Sequence, residues 1–223
     1  MKRIKEKWAT SGLPPSERIE ILNLLLELGR WLRANPPFVC FQSRGDMYRY
    51  LNDRVAGEGP IDYLEFGVYR GDAFRLWMEL NRHPDSRFYG FDTFEGLPED
   101  WSFFTEVIPR GTWSTGGRAP DIRDPRATFF RGLFQDTLPG FLCTFAPRSP
   151  LIINCDADLY SSTLYVLATL NPLLVAGGCV IFDEFSTVHE FRAFRDFVCS
   201  FRRRYKVLAA ADRFCERLAV EML

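Results

Sequence analysis

Leu64-Glu65-Phe66-Gly67-Val68-Tyr69-Arg70-Gly71 joins a short apolar run, Ile61–Phe66, to a helix-like stretch, Asp72–Leu80, across two glycines. An apolar run that breaks at glycine and re-enters as a helix is how an α/β unit begins. Open α/β sheets bind ligands beyond the C-terminal ends of their strands, so this junction is the first candidate site. Gly67 permits a tight turn and a close backbone approach, and Gly71 opens the helix. The spacing is not GxGxxG, so the pyrophosphate fingerprint of a dinucleotide-binding oxidoreductase is absent.

Downstream, apolar runs at Arg87–Phe91, Thr128–Arg131, Leu151–Cys155 and Cys179–Phe182 read as strands. Helical patterns separate them: one near Leu138–Phe145, one capped by Ser161 and running to Leu174, and one opened by a Thr187/Glu190 capping box and running to about Arg204. Tyr205–Ala209 and Arg217–Glu221 follow as two strands with no helix between them, which predicts an antiparallel hairpin at the end of the sheet. The fold class is therefore α/β: seven strands, mostly parallel, with an antiparallel last hairpin. Upstream, Ser16 can cap a helix carrying Ile19, Leu22, Leu25, Leu28 and Leu32, which Asn35-Pro36-Pro37 ends. A second helix is expected over Asp46–Arg54. Residues 1–58 thus read as an N-terminal helical extension or lid, and 59–223 as the main domain. The glycine- and proline-rich stretch Glu95–Arg126 is too long for an ordinary connection and reads as a functional loop, such as a lid.

Composition narrows the classes. The net charge of −1 among 223 residues lacks the basic excess of a nucleic-acid binder. The one tight basic run, Arg202-Arg203-Arg204, suits a solvated helix end. Met1–Trp8 is basic with no apolar run behind it, which predicts no secretory signal. Leu22–Leu28 and Leu164–Leu174 are too short to span a bilayer. The six cysteines form no CxxC pair, and Cys155 and Cys179 read as buried free thiols of a reducing compartment, so the expected location is the cytoplasm. The Phe191, Phe194, Phe197, Phe201 stripe has helical spacing and reads as core. His189 reads as a helix-surface residue, and His83 lies in a turn.

Chemistry is carried at two further strand ends. Asp92 closes a strand, where an acidic residue can accept both ribose hydroxyls of an adenosine. Asp156-Ala157-Asp158 and Asp183-Glu184 follow two strands that one helix connects, and such strands usually neighbour in space. Four carboxylates at one sheet edge repel, which a bound cation or a raised pKa would relieve. Hard oxygen ligands suit Mg²⁺, Ca²⁺ or Mn²⁺. Simple helix capping would explain one carboxylate per strand, not two.

At these residues the sequence resembles the macrocin O-methyltransferase family, which includes methyltransferases of macrolide and aminocoumarin sugars. The resemblance rests on Leu64–Gly71, Phe91–Pro98, Arg131–Pro139, Asp156–Thr163 and Phe182-Asp183-Glu184, in order, with Gly111–Gly117 similar to the family's lid. It implies a Rossmann-like class I methyltransferase fold, S-adenosylmethionine and Mg²⁺. By position, Glu65, Gly67 and Gly71 would line the methionine end of the cofactor, Asp92 would hold the ribose, and Gly132 and Phe134 would lie near the adenine. Tyr69, Arg70, Thr93 and Asp156 complete the cofactor-binding set. Asp158, Asp183 and Glu184 would be metal ligands and Asp156 the general base. Glu184 stands where some members have Asp. The implied acceptor is a small molecule, a hydroxyl of a sugar or glycoside, with no nucleic-acid or membrane partner and with the N-terminal helices available for a homo-oligomer. A catechol-type methyltransferase and a non-catalytic adenosine-binding module remain as alternatives.

Overall fold

The computed structural model describes residues 16–35, 39–103, 106–212 and 215–223. Met1–Trp8 lies outside them, as does the side chain of Ser16. The elements in chain order are α1 (Ser16–Ala34), β1 (Val39–Phe41), α2 (Arg44–Val55), β2 (Asp62–Phe66), α3 (Asp72–Leu80), β3 (Arg87–Asp92), β4 (Trp101–Phe103), β5 (Glu106–Ile108), β6 (Ala127–Arg131), α4 (Phe134–Leu142), β7 (Leu151–Cys155), α5 (Tyr160–Leu170), β8 (Cys179–Phe182), α6 (His189–Phe201), β9 (Tyr205–Ala211) and β10 (Arg217–Met222).

The main sheet runs β1-β9-β10-β8-β7-β2-β3-β6. The pairs β6/β3, β3/β2, β2/β7 and β7/β8 are parallel, and β10 is antiparallel to both β8 and β9. The expected seven strands and antiparallel last hairpin are present. An eighth strand adds to them: β1 pairs in parallel with β9, Val39 opposite Ala209. Three residues show no periodicity, which is why this strand is invisible in the sequence.

Alternation along the strands divides the core into two layers, because successive side chains point to opposite faces. Leu64 and Phe66 of β2, Ile153 and Cys155 of β7, and Val180 and Phe182 of β8 meet α1, α4, α5 and α6 on one face. Tyr63, Ile152 and Ile181 meet α2 and α3 on the other, where Trp77, Tyr48 and Phe74 are fully buried. The N-terminal helices are built into this sandwich: α1 sits on the first face and α2 on the second. On α1 the buried positions are Leu24 and Leu28. Ile19, Leu22, Leu25 and Leu26 are exposed. Glu20 and Glu27 pair with Arg192 and Arg195 of α6.

Several local expectations are corrected. The helix expected at Leu138–Phe145 starts four residues earlier, at Phe134. Ser161 is not a cap: α5 begins at Tyr160 with Leu159 as its N-cap residue and no side-chain cap. The capping box fails because a 3₁₀ turn at Phe185–Thr187 delays α6, whose N-cap is Val188 at φ 74°. The core stripe on α6 stops at Phe197, and Phe201 is exposed. The basic run that follows lies past the helix end, with Arg202 left-handed at its C-cap. No helix among the described residues is long and apolar enough to cross a membrane.

Candidate active site

The strand ends of β2, β3, β7 and β8 open into a cavity of about 550 Å³, within the usual range for small-molecule sites. Of the cofactor residues expected from sequence, Gly67, Tyr69, Asp92, Thr93, Phe134 and Asp156 line it. Glu65, Arg70, Gly71 and Gly132 do not. Alternation explains Glu65: it shares a face with Tyr63, whose hydroxyl donates to it, and it is buried on the α2/α3 side. That burial pushes its carboxyl up to about 8.

Gly67 is needed for a reason other than cofactor contact. Its φ is 90°, and a Cβ there would stand 1.7 Å from the carbonyl oxygen of Asp156. The close approach read from the sequence is thus made to the neighbouring strand end, which brings the turn and Asp156 together. Gly67 N–H donates to Phe91 O at 2.9 Å, and Asp156 N–H to Phe66 O at 2.9 Å.

Asp92 clasps this turn. Its Oδ2 accepts from the Val68 and Tyr69 N–H groups at 2.8 and 2.7 Å, and its Oδ1 accepts from Phe94 N–H at 2.7 Å. A carboxylate offers roughly four lone-pair sites, so about one remains for a ribose hydroxyl rather than two. The clamp was not visible in the sequence, because an acidic residue at a strand end reads equally as a ligand group or a turn former.

Asp156 and Asp158 follow β7, with Asp158 held in the left-handed region at φ 58°, a strain typical of functional turns. Both line the cavity with Glu184. Burial and then the Asp183 and Asp158 carboxylates drive the Asp156 carboxyl well above its ordinary value. Burial and then Glu184 push Asp158 up to about 7, and burial and then Asp183 push Glu184 up to about 7. Buried Glu190 positions Glu184 by accepting its backbone N–H at 2.9 Å.

Asp183 is placed differently. It does not line the cavity, and its two oxygens accept from Nε and Nη2 of Arg217 at 2.6 and 3.1 Å. Arg44 of α2 approaches it at 3.9 Å. Arg217 is delivered by the last hairpin, since β10 lies beside β8 with Leu218 opposite Phe182. Among the described residues no three His, Cys, Asp or Glu side chains converge as a metal-holding group. Of the three expected ligands, Asp158 and Glu184 line the cavity and Asp183 does not. Mg²⁺ is commonly held by one or two carboxylates together with water and substrate oxygens, so Asp158 and Glu184 fit such an ion, while Asp183 is committed to Arg217.

Of the expected irregular loop over Glu95–Arg126, residues 96–99 and 112–113 roof the cavity. The β4–β5 hairpin and the backbone bonds Leu97 N–H to Thr112 O (3.0 Å) and Gly117 N–H to Phe94 O (2.8 Å) shape it. Leu97 and Trp101 pack with Leu159 beneath. His189, expected at the surface, is half-buried and donates through Nε2–H to Ser102 O at 2.8 Å. Burial lowers its pKa, which keeps the ring neutral. The Ser161 hydroxyl donates to Glu99 at 2.5 Å.

The raised carboxyls give a stability prediction. Glu65, Asp158 and Glu184 hold protons more tightly folded than unfolded. The stability they contribute is full below the unfolded pKa of about 4 and is lost as pH rises through about 7 to 8. In metal-free buffer the melting temperature should fall between pH 5 and 8, and Asp158→Asn should flatten that slope. A profile that rises over the same range would show the cluster is not crowded.

A sheet of this order with a ligand cavity at the β2/β3/β7 strand ends, a glycine turn and an acidic clamp defines a class I methyltransferase. The Macrocin-O-methyltransferase (TylF) family matches residues 42–215, and the chain belongs to that family. It is an S-adenosylmethionine-dependent O-methyltransferase. It is 33% identical over 184 residues to the 8-demethyl-8-(2,3-dimethoxy-α-L-rhamnosyl)-tetracenomycin-C 4′-O-methyltransferase of Streptomyces olivaceus, covering 74% of this chain and 67% of that protein. The structure of the O-methyltransferase NovP shares the fold at a TM-score of 0.61 and 22% identity, over 80% of this chain and 78% of NovP. So does CalS11, described as a TDP-rhamnose 3′-O-methyltransferase, at 0.56 and 21%, over 99% and 92%.

Proposed function

We propose that the protein methylates a hydroxyl of a sugar carried on a small molecule, with Asp156 as general base and a divalent cation at Asp158 and Glu184. The observation that carries this reading is the cavity lining: Asp92, Glu99, Asp156, Asp158 and Glu184 face it, and no Lys, Arg or His does among the described residues. Crowded carboxylates around a cavity favour positively charged occupants. A sulfonium cofactor and a metal ion are two such occupants. The Streptomyces olivaceus relative acts on a rhamnosyl tetracenomycin, which supports the sugar acceptor. The six cysteines are all free, which suits an enzyme of the cytoplasm.

When bound, S-adenosylmethionine supplies an electrophilic methyl group, and a divalent cation supplies charge that lowers the pKa of a nearby hydroxyl. The chain does the rest. Asp92 fixes the Val68–Tyr69 turn against which the cofactor rests. Asp156 takes the hydroxyl proton as the new O–CH₃ bond forms and the S–CH₃ bond breaks. Positive charge held in the cavity would draw the raised Asp156 carboxyl toward ionisation, which suits its role as base. The roof at residues 96–99 and 112–113 excludes water.

Incubation with radiolabelled S-adenosylmethionine and a panel of glycosides bearing neighbouring hydroxyls tests the reading. Label should pass to a glycoside, and a chelator should depress the transfer. Transfer to catechols alone would overturn the sugar assignment, and full activity in chelator would overturn the cation at Asp158 and Glu184.

A further inference from the structure

The roof places a carboxylate where the fold would otherwise attract an anion. Glu99, at the cavity mouth, is hydrogen-bonded by the Ser161 hydroxyl in the first turn of α5. That helix has no side-chain cap, and an uncapped N-terminus presents free N–H groups and the positive end of the helix dipole. Phosphates bind such termini, or arginines and lysines. Here a carboxylate stands beside that terminus, held through the Ser161 side chain. The N-terminus of α4, whose Phe134 and Gln135 line the cavity, also lacks a side-chain cap, but Asp136 lies in its first turn. No lysine or arginine lines the cavity among the described residues.

Beside Glu99 the roof offers an apolar platform instead. Trp113 lines the cavity, is 38% exposed, and is held in the left-handed region at φ 62°. A bulky residue there is a true outlier that the surroundings must enforce. Its ring meets Trp101 at 5.8 Å, and Trp101 meets His189 edge-on at 6.2 Å. The indole is thus braced back to α6.

We propose that Glu99, seated on Ser161 at the start of α5, is a specificity-determining residue that bars anionic acceptors, so the enzyme takes uncharged glycosides and rejects sugars activated as nucleoside diphosphates. Trp113 carries the apolar face of the accepted sugar. The inference rests on the sugar-methylating reading above and adds which carrier the sugar is attached to.

Matched pairs of acceptors test it, with one sugar on two carriers: 4-nitrophenyl α-L-rhamnopyranoside against TDP-rhamnose, and 4-nitrophenyl β-D-glucopyranoside against UDP-glucose. The wild-type protein should favour the neutral member in kcat/KM by at least about tenfold. Glu99→Gln should shrink that ratio about tenfold by improving the nucleotide sugar, and added salt should shrink the wild-type ratio and not the variant's. A roof anchor with no charge role would lower both members equally and leave the ratio unchanged, and that result overturns the proposal. So does a wild-type preference for the nucleotide sugars. Methylation of no member of either pair would instead remove the sugar-methylating reading, and this inference with it.

Discussion

Gly67→Ala should abolish cofactor binding and destabilise the fold by about 3 kcal/mol or more. The left-handed φ alone costs an L-residue roughly 1–2 kcal/mol. The new Cβ would overlap the Asp156 carbonyl, at 1.7 Å from its oxygen and 2.7 Å from its carbon. Both obstacles are backbone, so no side chain can swing aside to relieve them. To make room, the end of β2 must part from the end of β7, which breaks the Asp156 N–H to Phe66 O bond. The separation would also tilt the Val68–Tyr69 turn off Asp92. Chemical denaturation reads the stability loss, and calorimetric titration should show cofactor affinity reduced at least about a hundredfold. Gly140, where an added methyl group would meet nothing within 4 Å, is a natural control: Gly140→Ala should leave cofactor affinity unchanged.

Asp156→Asn should reduce methyl transfer by about 10²–10⁴-fold, the range of general-base help, with cofactor affinity changed little. The amide keeps the shape of the carboxylate and loses the proton acceptor. It also removes a buried acid whose ionisation folding opposes, so the variant should be as stable as the parent or more so at pH 8. Loss of activity with gain of stability is a signature that a merely structural residue does not give. Single-turnover transfer and thermal melts, measured on the same preparation, check both halves. Equal transfer rates would move the base to another group.

The elements that were legible in the sequence share a physical trait. β2, β7 and β8 are buried along their whole length, so their apolar runs stand out without any need for alternation. Their carboxylates follow directly, and parallel pairing through one helix sets them side by side, as expected for Asp156, Asp158 and Glu184. What was hidden depends on partners distant in the chain. β1 exists because β9 offers it an edge, and β4 and β5 hold only three residues each. Asp183, expected as a third metal ligand, has Arg217 of β10 beside it, a pairing that only the register of the antiparallel hairpin discloses. Glu99 and Ser161 lie 62 positions apart, and nothing in either segment announces the other. Thr187 and Glu190 show the converse: a sequence signature was present, yet the buried Glu190 carboxylate serves the Glu184 backbone instead of a helix cap.

The cavity at the strand ends of β2, β3 and β7 is proposed as the methyl-donor site. Isothermal titration of S-adenosylmethionine into the protein, first with Mg²⁺ and then with a chelator, tests it most directly. Micromolar binding is expected in both conditions, because Gly67, Tyr69, Asp92 and Phe134 line the cavity with or without a cation. Absence of binding in both would contradict it.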